Sequence, residues 1–255
     1  MHKQTIGLIA AMPEEIRPLL KRFAPVAREK LAGFNVYTFR AGEREACLIE
    51  SGMGLKNAAA ATHALIAKAN PEIILNFGFA GAVKTGPAVG DVVVATRVLF
   101  HHDRLFSEQQ GISAELAEQG VNTLEDTLLA GNFHIYRGTF ITTGQIKGKR
   151  ELSKLLPGGA SHPVLEMETS AVAQMAAKGK TPLLAARAIS DGAEEELGFT
   201  IDEFTDRAMR IRTWKVLWTI GKKPWIIPQL VRLARNSRIA GENLSAAVAN
   251  LMERL

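Results

Sequence analysis

A three-layer α/β domain, with a central mixed β-sheet flanked by helices, is the fold this sequence predicts, and three observations predict it. Short apolar runs alternate with helical patterns of 3–4 spacing along most of the chain. Two neighbouring extended segments, Asn35 to Ala41 and Glu45 to Ser51, are joined by a turn at Gly42, which adds a hairpin and makes the sheet mixed. The 255 residues, 47% hydrophobic and 22% charged, are enough for one substantial core, and no repeat or linker-like tract divides them. Residues 1–255 are therefore expected to form a single domain.

In chain order, Thr5 to Ala11 reads as a buried first strand. Met12-Pro13-Glu14-Glu15 then opens a helix, because proline suits the first helical turn and acids there complement the helix dipole. Ile16, Leu19, Leu20 and Phe23 form its apolar face. After the hairpin, Gly52-Met53-Gly54 turns into an alanine-rich helix, Leu55 to Ala69. Glu72 to Phe77 is the next strand, and Gly78 to Ala82 reads as a glycine turn that lets backbone approach a ligand. Asp91 to Val98 is the clearest strand, followed by a polar loop at His101-His102-Asp103 and a helix from about Ser113 to Ala130. His134 to Thr142 is extended, Gly144 to Gly148 is a loop, and Arg150 to Leu156 is a short helix. Pro163 to Glu166 is a strand, Thr169 to Lys178 its helix, and Thr181 to Ile189 a last strand ending at Ser190-Asp191-Gly192.

Composition excludes several classes. The apolar run at the N-terminus is too short for a signal sequence, and no stretch approaches the ~18 apolar residues of a membrane span. The single cysteine, Cys47, excludes an internal disulfide and sits among apolar neighbours, as a buried strand residue does. A cytoplasmic location is the expectation. The net charge of +5 is local: Arg207 to Arg238 holds nine Lys/Arg and no Asp/Glu, which leaves the remainder at −4. No zinc-finger spacing or aromatic RNA-binding strand accompanies those bases, so no nucleic-acid partner is expected.

Acids cluster at strand ends, where open α/β sheets converge on a ligand crevice. Glu15 follows the first strand, Glu166 and Glu168 follow a later one, and Asp191 follows the last. Each has a bland alternative: a dipole-complementing helix residue for Glu15, a helix N-terminal carboxylate for Glu168, an N-cap or turn residue for Asp191. Strand alternation puts Glu166 and Glu168 on one side with Met167 opposite, unless a turn between them separates their fates.

Six segments occur in an order that resembles a known family: Ile6-Gly-Leu-Ile-Ala-Ala-Met-Pro-Glu-Glu15, Ser51-Gly-Met-Gly-Leu-Lys-Asn-Ala58, Gly78-Phe-Ala-Gly81, Gly90-Asp-Val-Val93, Glu166-Met-Glu168 and Arg187-Ala-Ile-Ser-Asp191. Over about residues 5–206 the chain resembles the purine nucleoside phosphorylase superfamily, nearest its methylthioadenosine/S-adenosylhomocysteine nucleosidase branch. The resemblance implies cleavage of an N-ribosidic bond in a purine nucleoside, without a cofactor or metal, by a homodimer. It implies that Glu15 activates the attacking water, that Glu168 holds the ribose hydroxyls with Met167 packed on the sugar, and that Asp191, oriented by Ser190, protonates the purine at N7. Ala80 and Gly81 match the backbone lining the ribose site, and Arg187 matches an arginine supporting the Asp191 loop.

The chemistry fits these positions. An oxocarbenium-like sugar is stabilised by nearby carboxylates, and adenine leaves poorly unless an acid protonates it. Phosphate-using relatives place an arginine before the glycine segment and a serine within it, where this chain has Asn76 and Phe79. Water is therefore the expected nucleophile, phosphorolysis the alternative, and a nucleoside-binding module without turnover the non-enzymatic one. Phe79 also departs from the serine of the hydrolytic branch and is expected to narrow or grease the ribose pocket. At Gln145-Ile146-Lys147 the branch has an aromatic that stacks on adenine, so Ile146 is the candidate base contact. Three adjacent residues at His101 to Asp103 do not suit one metal ion.

Residues 207–255 depart most from the nucleosidases. All three tryptophans, Trp214, Trp218 and Trp225, lie there among Arg210, Lys215, Lys222 and Lys223. Pro224 and Pro228 are expected to interrupt the helical pattern before a last helix carrying Leu230, Leu233, Ala234, Leu244, Ala247 and Leu251. That helix reads as packed on the sheet with its bases in water. The basic, tryptophan-containing segment 207–238 suits peripheral contact with an anionic membrane surface. Its Lys223-Pro-Trp…Arg235 pattern resembles the tail of the hopanoid-associated phosphorylase family, which removes adenine from an adenosyl-triterpenoid.

Overall fold

The computed structural model describes residues 5–127, 133–144, 148–195, 204 and 213–255. Among these residues, ten strands and seven α-helices follow in the order β1 (Thr5–Ala10), α1 (Pro13–Arg22), β2 (Ala27–Leu31), β3 (Phe34–Ala41), β4 (Arg44–Glu50), α2 (Leu55–Ala69), β5 (Ile73–Ala82), β6 (Val92–His102), β7 (Leu105–Glu108), α3 (Ala114–Thr127), β8 (Ile135–Thr143), α4 (Lys149–Leu155), β9 (Val164–Glu166), α5 (Thr169–Lys178), β10 (Leu183–Asp191), α6 (Thr213–Lys222) and α7 (Ile227–Arg254), with a short 3-10 turn, Pro224–Ile226, between the last two. The strands form one mixed sheet, as the sequence implies.

The side-chain period of two sorts each strand between two apolar layers. Ile6, Leu8 and Ala10 of β1 join Ala46 and Leu48 of β4 and Leu75 and Phe77 of β5 beneath α1, α3 and α7. Ile9, Cys47, Ile49 and Ile74 face the other way, onto Ala58, Ala61 and Leu65 of α2 and Val172 and Ala176 of α5. Helices thus cover both faces. Burial raises the Cys47 thiol to about 11, so it behaves as a core residue.

One end of the sheet closes on itself. β5 pairs in parallel with β1 up to Asn76 and with β10 from Ile74 to Gly81, then pairs antiparallel with β9 through Gly81 and Ala82. β10 pairs β6, β6 pairs β8 and β8 pairs β9, so five strands complete a circuit. Ala80, Ala82, Val93, Ala95, Phe140, Val164, Ala185 and Ile189 form an apolar cluster of their own within that circuit. Between Asn76, where β5 leaves β1, and Gly81, where it meets β9, one edge of β5 has no strand beside it. That opening is where the acids collect.

Three local expectations change. Gly78 to Ala82 is not a turn but the second half of β5. His101 and His102 end β6 rather than sitting in a loop, and the turn that follows uses Asp103 and Arg104, both at positive φ. Pro228 does not interrupt a helix; it lies in the first turn of α7, where its missing N–H has no helical partner to lose. The C-terminal half of α7 is core, with Leu244, Ala247 and Leu251 buried against the sheet layer. Among the described residues no helix is long and apolar enough to cross a membrane.

Candidate active site

The first acid is fixed by backbone. Glu15 occupies the third position of α1, where a glutamate can reach back to the N-cap amide. Its Oε2 accepts hydrogen bonds from the Ala11 and Met12 N–H groups, both at 2.8 Å. Oε1 accepts one from Phe79 N–H, also at 2.8 Å, across the opening beside β5. Glu15 therefore caps α1, as the bland reading has it, and also reaches across the opening to β5. A cap alone does not require burial, yet Glu15 is only 3% exposed. Burial pushes its pKa up, against the lowering effect of the Phe79 N–H and of the Arg187 charge. Gly78 permits the approach, because a Cβ there would lie 2.7 Å from Glu15 Oε1.

The turn after β4 connects this acid to the second one. Ser51 and Gly52 donate their N–H groups to the Ala10 and Ala11 carbonyls, and Gly54 N–H donates to Glu168 Oε1 at 2.8 Å. Gly52 and Gly54 have φ of 75° and 89°, which favours glycine at both. Glu168 is the N-cap of α5, and the turn from β9 into that helix separates it from Glu166.

Glu166 turns into a buried network. Its carboxylate accepts from Thr142 Oγ1, from Thr169 Oγ1 and N–H (both 2.8 Å), from Glu168 N–H (2.9 Å) and from Arg187 Nη2 (3.0 Å). Burial opposes its charge, but Arg187 and those donors outweigh it and hold the pKa below the ordinary value. Glu168 has fewer donors. Burial, then repulsion from Glu166, push its pKa up to about 8 despite Arg187 and the Gly54 N–H. Of the two glutamates, Glu168 is therefore the one whose charged form the fold opposes.

Arg187 is 1% exposed and reaches Asn76 Oδ1 at 2.8 Å and Thr169 Oγ1 at 2.8 Å as well as Glu166. The side-chain partners of its guanidinium among the described residues are thus Glu166, Thr169 and Asn76, while Asp191 takes its own partners from Ser190 and Lys149. Asn76, which stands where phosphate users have arginine, is tied into the same network and donates to the Ile9 carbonyl.

The third acid ends β10. Asp191 Oδ1 accepts from Ser190 Oγ at 2.7 Å, and Oδ2 is paired with the Lys149 ammonium. Ser190 Oγ also lies 3.4 Å from the Ala80 carbonyl. Gly81 is again a matter of room, since a Cβ there would fall 2.6 Å from Asp191 Oδ2 and 2.7 Å from Lys149 Cε. Lys149 is the functional-site residue that sequence reasoning missed. A usable signal was present: a lysine opening a helix, where the dipole disfavours a cation.

β5 is the spine of this arrangement. Its Phe79 amide holds Glu15 and its Gly81 abuts Asp191, two residues further on and so about 7 Å apart along a strand. Of the residues singled out in sequence, the Glu15 carboxylate, the Phe79 amide, Ala80, Gly81, Ser190 and Asp191 gather along β5, and Glu168, which follows Met167, reaches the Gly54 turn. The Phe79 ring packs with the apolar layer of α1 and α7, its tip 3.5 Å from where a Gly241 Cβ would be, so its backbone is what it presents to Glu15. Ile146 lies outside the described residues. Among the described residues, acids outnumber bases: Glu15, Glu166, Glu168 and Asp191 against Arg187 and Lys149. Such a site suits a reacting centre that becomes positive.

Residues 5–220 match the sequence model of the phosphorylase superfamily. The chain belongs to that superfamily. Its relatives there include the 5′-methylthioadenosine/S-adenosylhomocysteine nucleosidase of Oceanobacillus iheyensis, 32% identical over 80% of this chain and 93% of the relative. The enzyme of the same description from Staphylococcus epidermidis is 29% identical over 80% of this chain and 93% of its own length. Among solved superfamily structures, the Helicobacter pylori nucleosidase in complex with a pyrrolidine inhibitor superposes with a TM-score of 0.74 at 19% identity, covering all of both chains. Futalosine hydrolase of Helicobacter pylori gives 0.74 at 19% identity, over 99% of this chain and 98% of that one. These structures show that the fold of this chain is shared along its whole length.

Proposed function

We propose that this chain hydrolyses the N-ribosidic bond of a 5′-substituted adenosine and releases adenine. The observation that carries the choice of water over phosphate is the position of the Glu15 carboxylate. Backbone N–H groups of Ala11, Met12 and Phe79 converge as they would around a bound anion, and the protein fills that cradle with its own carboxylate. A phosphate would meet a like charge and no free donors. In this reading Glu15 takes a proton from the attacking water, Glu168 holds the ribose hydroxyls with Met167 against the sugar, and Asp191 delivers a proton to purine N7. Ala80 and Gly81 line the ribose along β5. The names of the nucleosidase relatives support the adenosine part.

The test is adenine release from methylthioadenosine, adenosylhomocysteine and unsubstituted adenosine, with and without phosphate. The expected result is free reducing sugar at a rate indifferent to phosphate. A rate that needs phosphate, with sugar phosphate as product, would replace hydrolysis by phosphorolysis.

A second element of the proposal is that the protein works in the cytoplasm as a homodimer and touches an anionic membrane surface through the basic segment 207–238, which is described from residue 213. Trp218 and Trp225 are 62% and 70% exposed, and Ile227, Val231 and Ile239 are exposed with them. Lys222 Nζ lies 4.8 Å from the Trp218 ring, with Lys223, Arg232, Arg235 and Arg238 on the same stretch. Aromatic and basic residues together suit the headgroup region of an anionic bilayer. Such a site would serve a nucleoside whose 5′ substituent is itself apolar. Sedimentation should show a dimer alone and co-pelleting with phosphatidylserine vesicles that fades with salt; a supernatant protein at low salt would remove the membrane contact.

A further inference from the structure

A general acid must hold a proton to give, and both oxygens of Asp191 are engaged by neighbouring donors. Ser190 Oγ lies 2.7 Å from Oδ1, and the Lys149 ammonium donates to Oδ2. Of the groups that touch it among the described residues, Lys149 is the one that carries an exchangeable positive charge.

The placement of Lys149 is costly for the fold. The residue is 6% exposed, it opens α4 where the helix dipole opposes a cation, and its ammonium is desolvated. It is nevertheless held at three acceptors: the Asp191 carboxylate, the Gly192 carbonyl at 2.8 Å and the Asp191 carbonyl at 3.3 Å. Those match the three N–H donors of an ammonium. Gly81 leaves room for the pair where any side chain would collide with both partners. Three elements, β5, β10 and α4, thus agree on one ion pair, and packing alone would have been served by an apolar side chain.

We propose that Lys149 is the proton reservoir behind Asp191, a positioning residue that acts through the aspartate and not on the substrate. The inference rests on the nucleosidase reading above. As the C1′–N9 bond breaks, its electron pair goes to the base. A proton passes from Lys149 Nζ to Asp191 Oδ2 and from that carboxyl to N7, so adenine leaves neutral. Lys149, then a neutral amine, regains a proton from solvent, and the proton that Glu15 took from the attacking water returns to solvent. One water is consumed and no net proton.

The test compares two leaving groups in Lys149→Met and Lys149→Arg. Methylthioadenosine needs acid assistance, whereas the 4-nitrophenyl riboside with the same 5′-methylthio group expels a stable phenolate without it. Lys149→Met should lower kcat for adenine release by about 10²-fold, the low end of general-acid effects, and leave nitrophenolate release near the parental rate. Lys149→Arg keeps the charge but cannot surrender a proton, so it should be as slow on methylthioadenosine as the methionine variant. If only the arginine variant folds, its split between the two substrates decides alone. Recovery of adenine release in Lys149→Arg, or equal losses on both substrates, would overturn the reservoir. Parent protein that releases nitrophenolate but no adenine would instead overturn the adenosine reading beneath it.

Discussion

Asp191→Asn is expected to lower adenine release by about 10²–10⁴-fold, the range a lost general acid commands, while the protein stays folded. Asparagine matches aspartate in shape, and its Oδ1 can keep the 2.7 Å hydrogen bond from Ser190. The Nδ2 amide, however, would face the Lys149 ammonium, donor against donor, and the buried cation would lose its counter-charge. A stability loss of roughly 1–3 kcal/mol follows from leaving a buried donor unpaired. Thermal unfolding followed by circular dichroism separates the two effects: a modest fall in Tm with a normal spectrum, beside a collapse of kcat. The 4-nitrophenyl riboside sharpens the result, since its turnover should survive. A variant releasing adenine within about tenfold of the parent would remove Asp191 from the role of acid.

How far the site was legible depends on whether its residues speak through local pattern. Glu15, Glu168 and Asp191 stand at strand ends, and a strand end is written in the sequence as an apolar run that stops. Lys149 leaves only the faint local signal of a lysine opening a helix, and its partner is not written there, because it reaches Asp191 through closure of β10 and β9 around β5, a circuit no local pattern encodes. Glycine misled for a related reason. Gly78 and Gly81 resemble turn residues in sequence, yet they lie within β5 and are required for the room they leave to Glu15 and Asp191. β2 was passed over because Ala27–Leu31 is a polar edge strand, exposed along nearly its whole length, with no alternation to read. The separation of Glu166 from Glu168 hinged on whether a turn intervenes; once it does, one glutamate belongs to Arg187 and the other to the site.

Glu15→Ala should be as damaging as the loss of Asp191, but it should be partly reversible from outside. Deleting the carboxylate removes the base that activates water, for a loss of about 10²–10⁴-fold. It also leaves the Ala11, Met12 and Phe79 N–H groups converging on an unfilled cradle. Formate is a carboxylate small enough to enter it, and three converging donors favour an anion there. Added formate should therefore restore a measurable part of hydrolysis, saturably, in Glu15→Ala and not in Asp191→Asn. Glutamine would be a poorer probe, because its amide would turn a donor toward at least one N–H that now meets an oxygen. The parent offers an independent check. Its base must be ionised to work, and burial raises the Glu15 pKa, so kcat/KM should fall on acidification through a limb set above the ordinary carboxylate range. In formate-rescued Glu15→Ala that limb should move down toward the pKa of formic acid itself. Rescue by formate without this movement would mean that the anion only restores structure, and the base would have to be sought elsewhere.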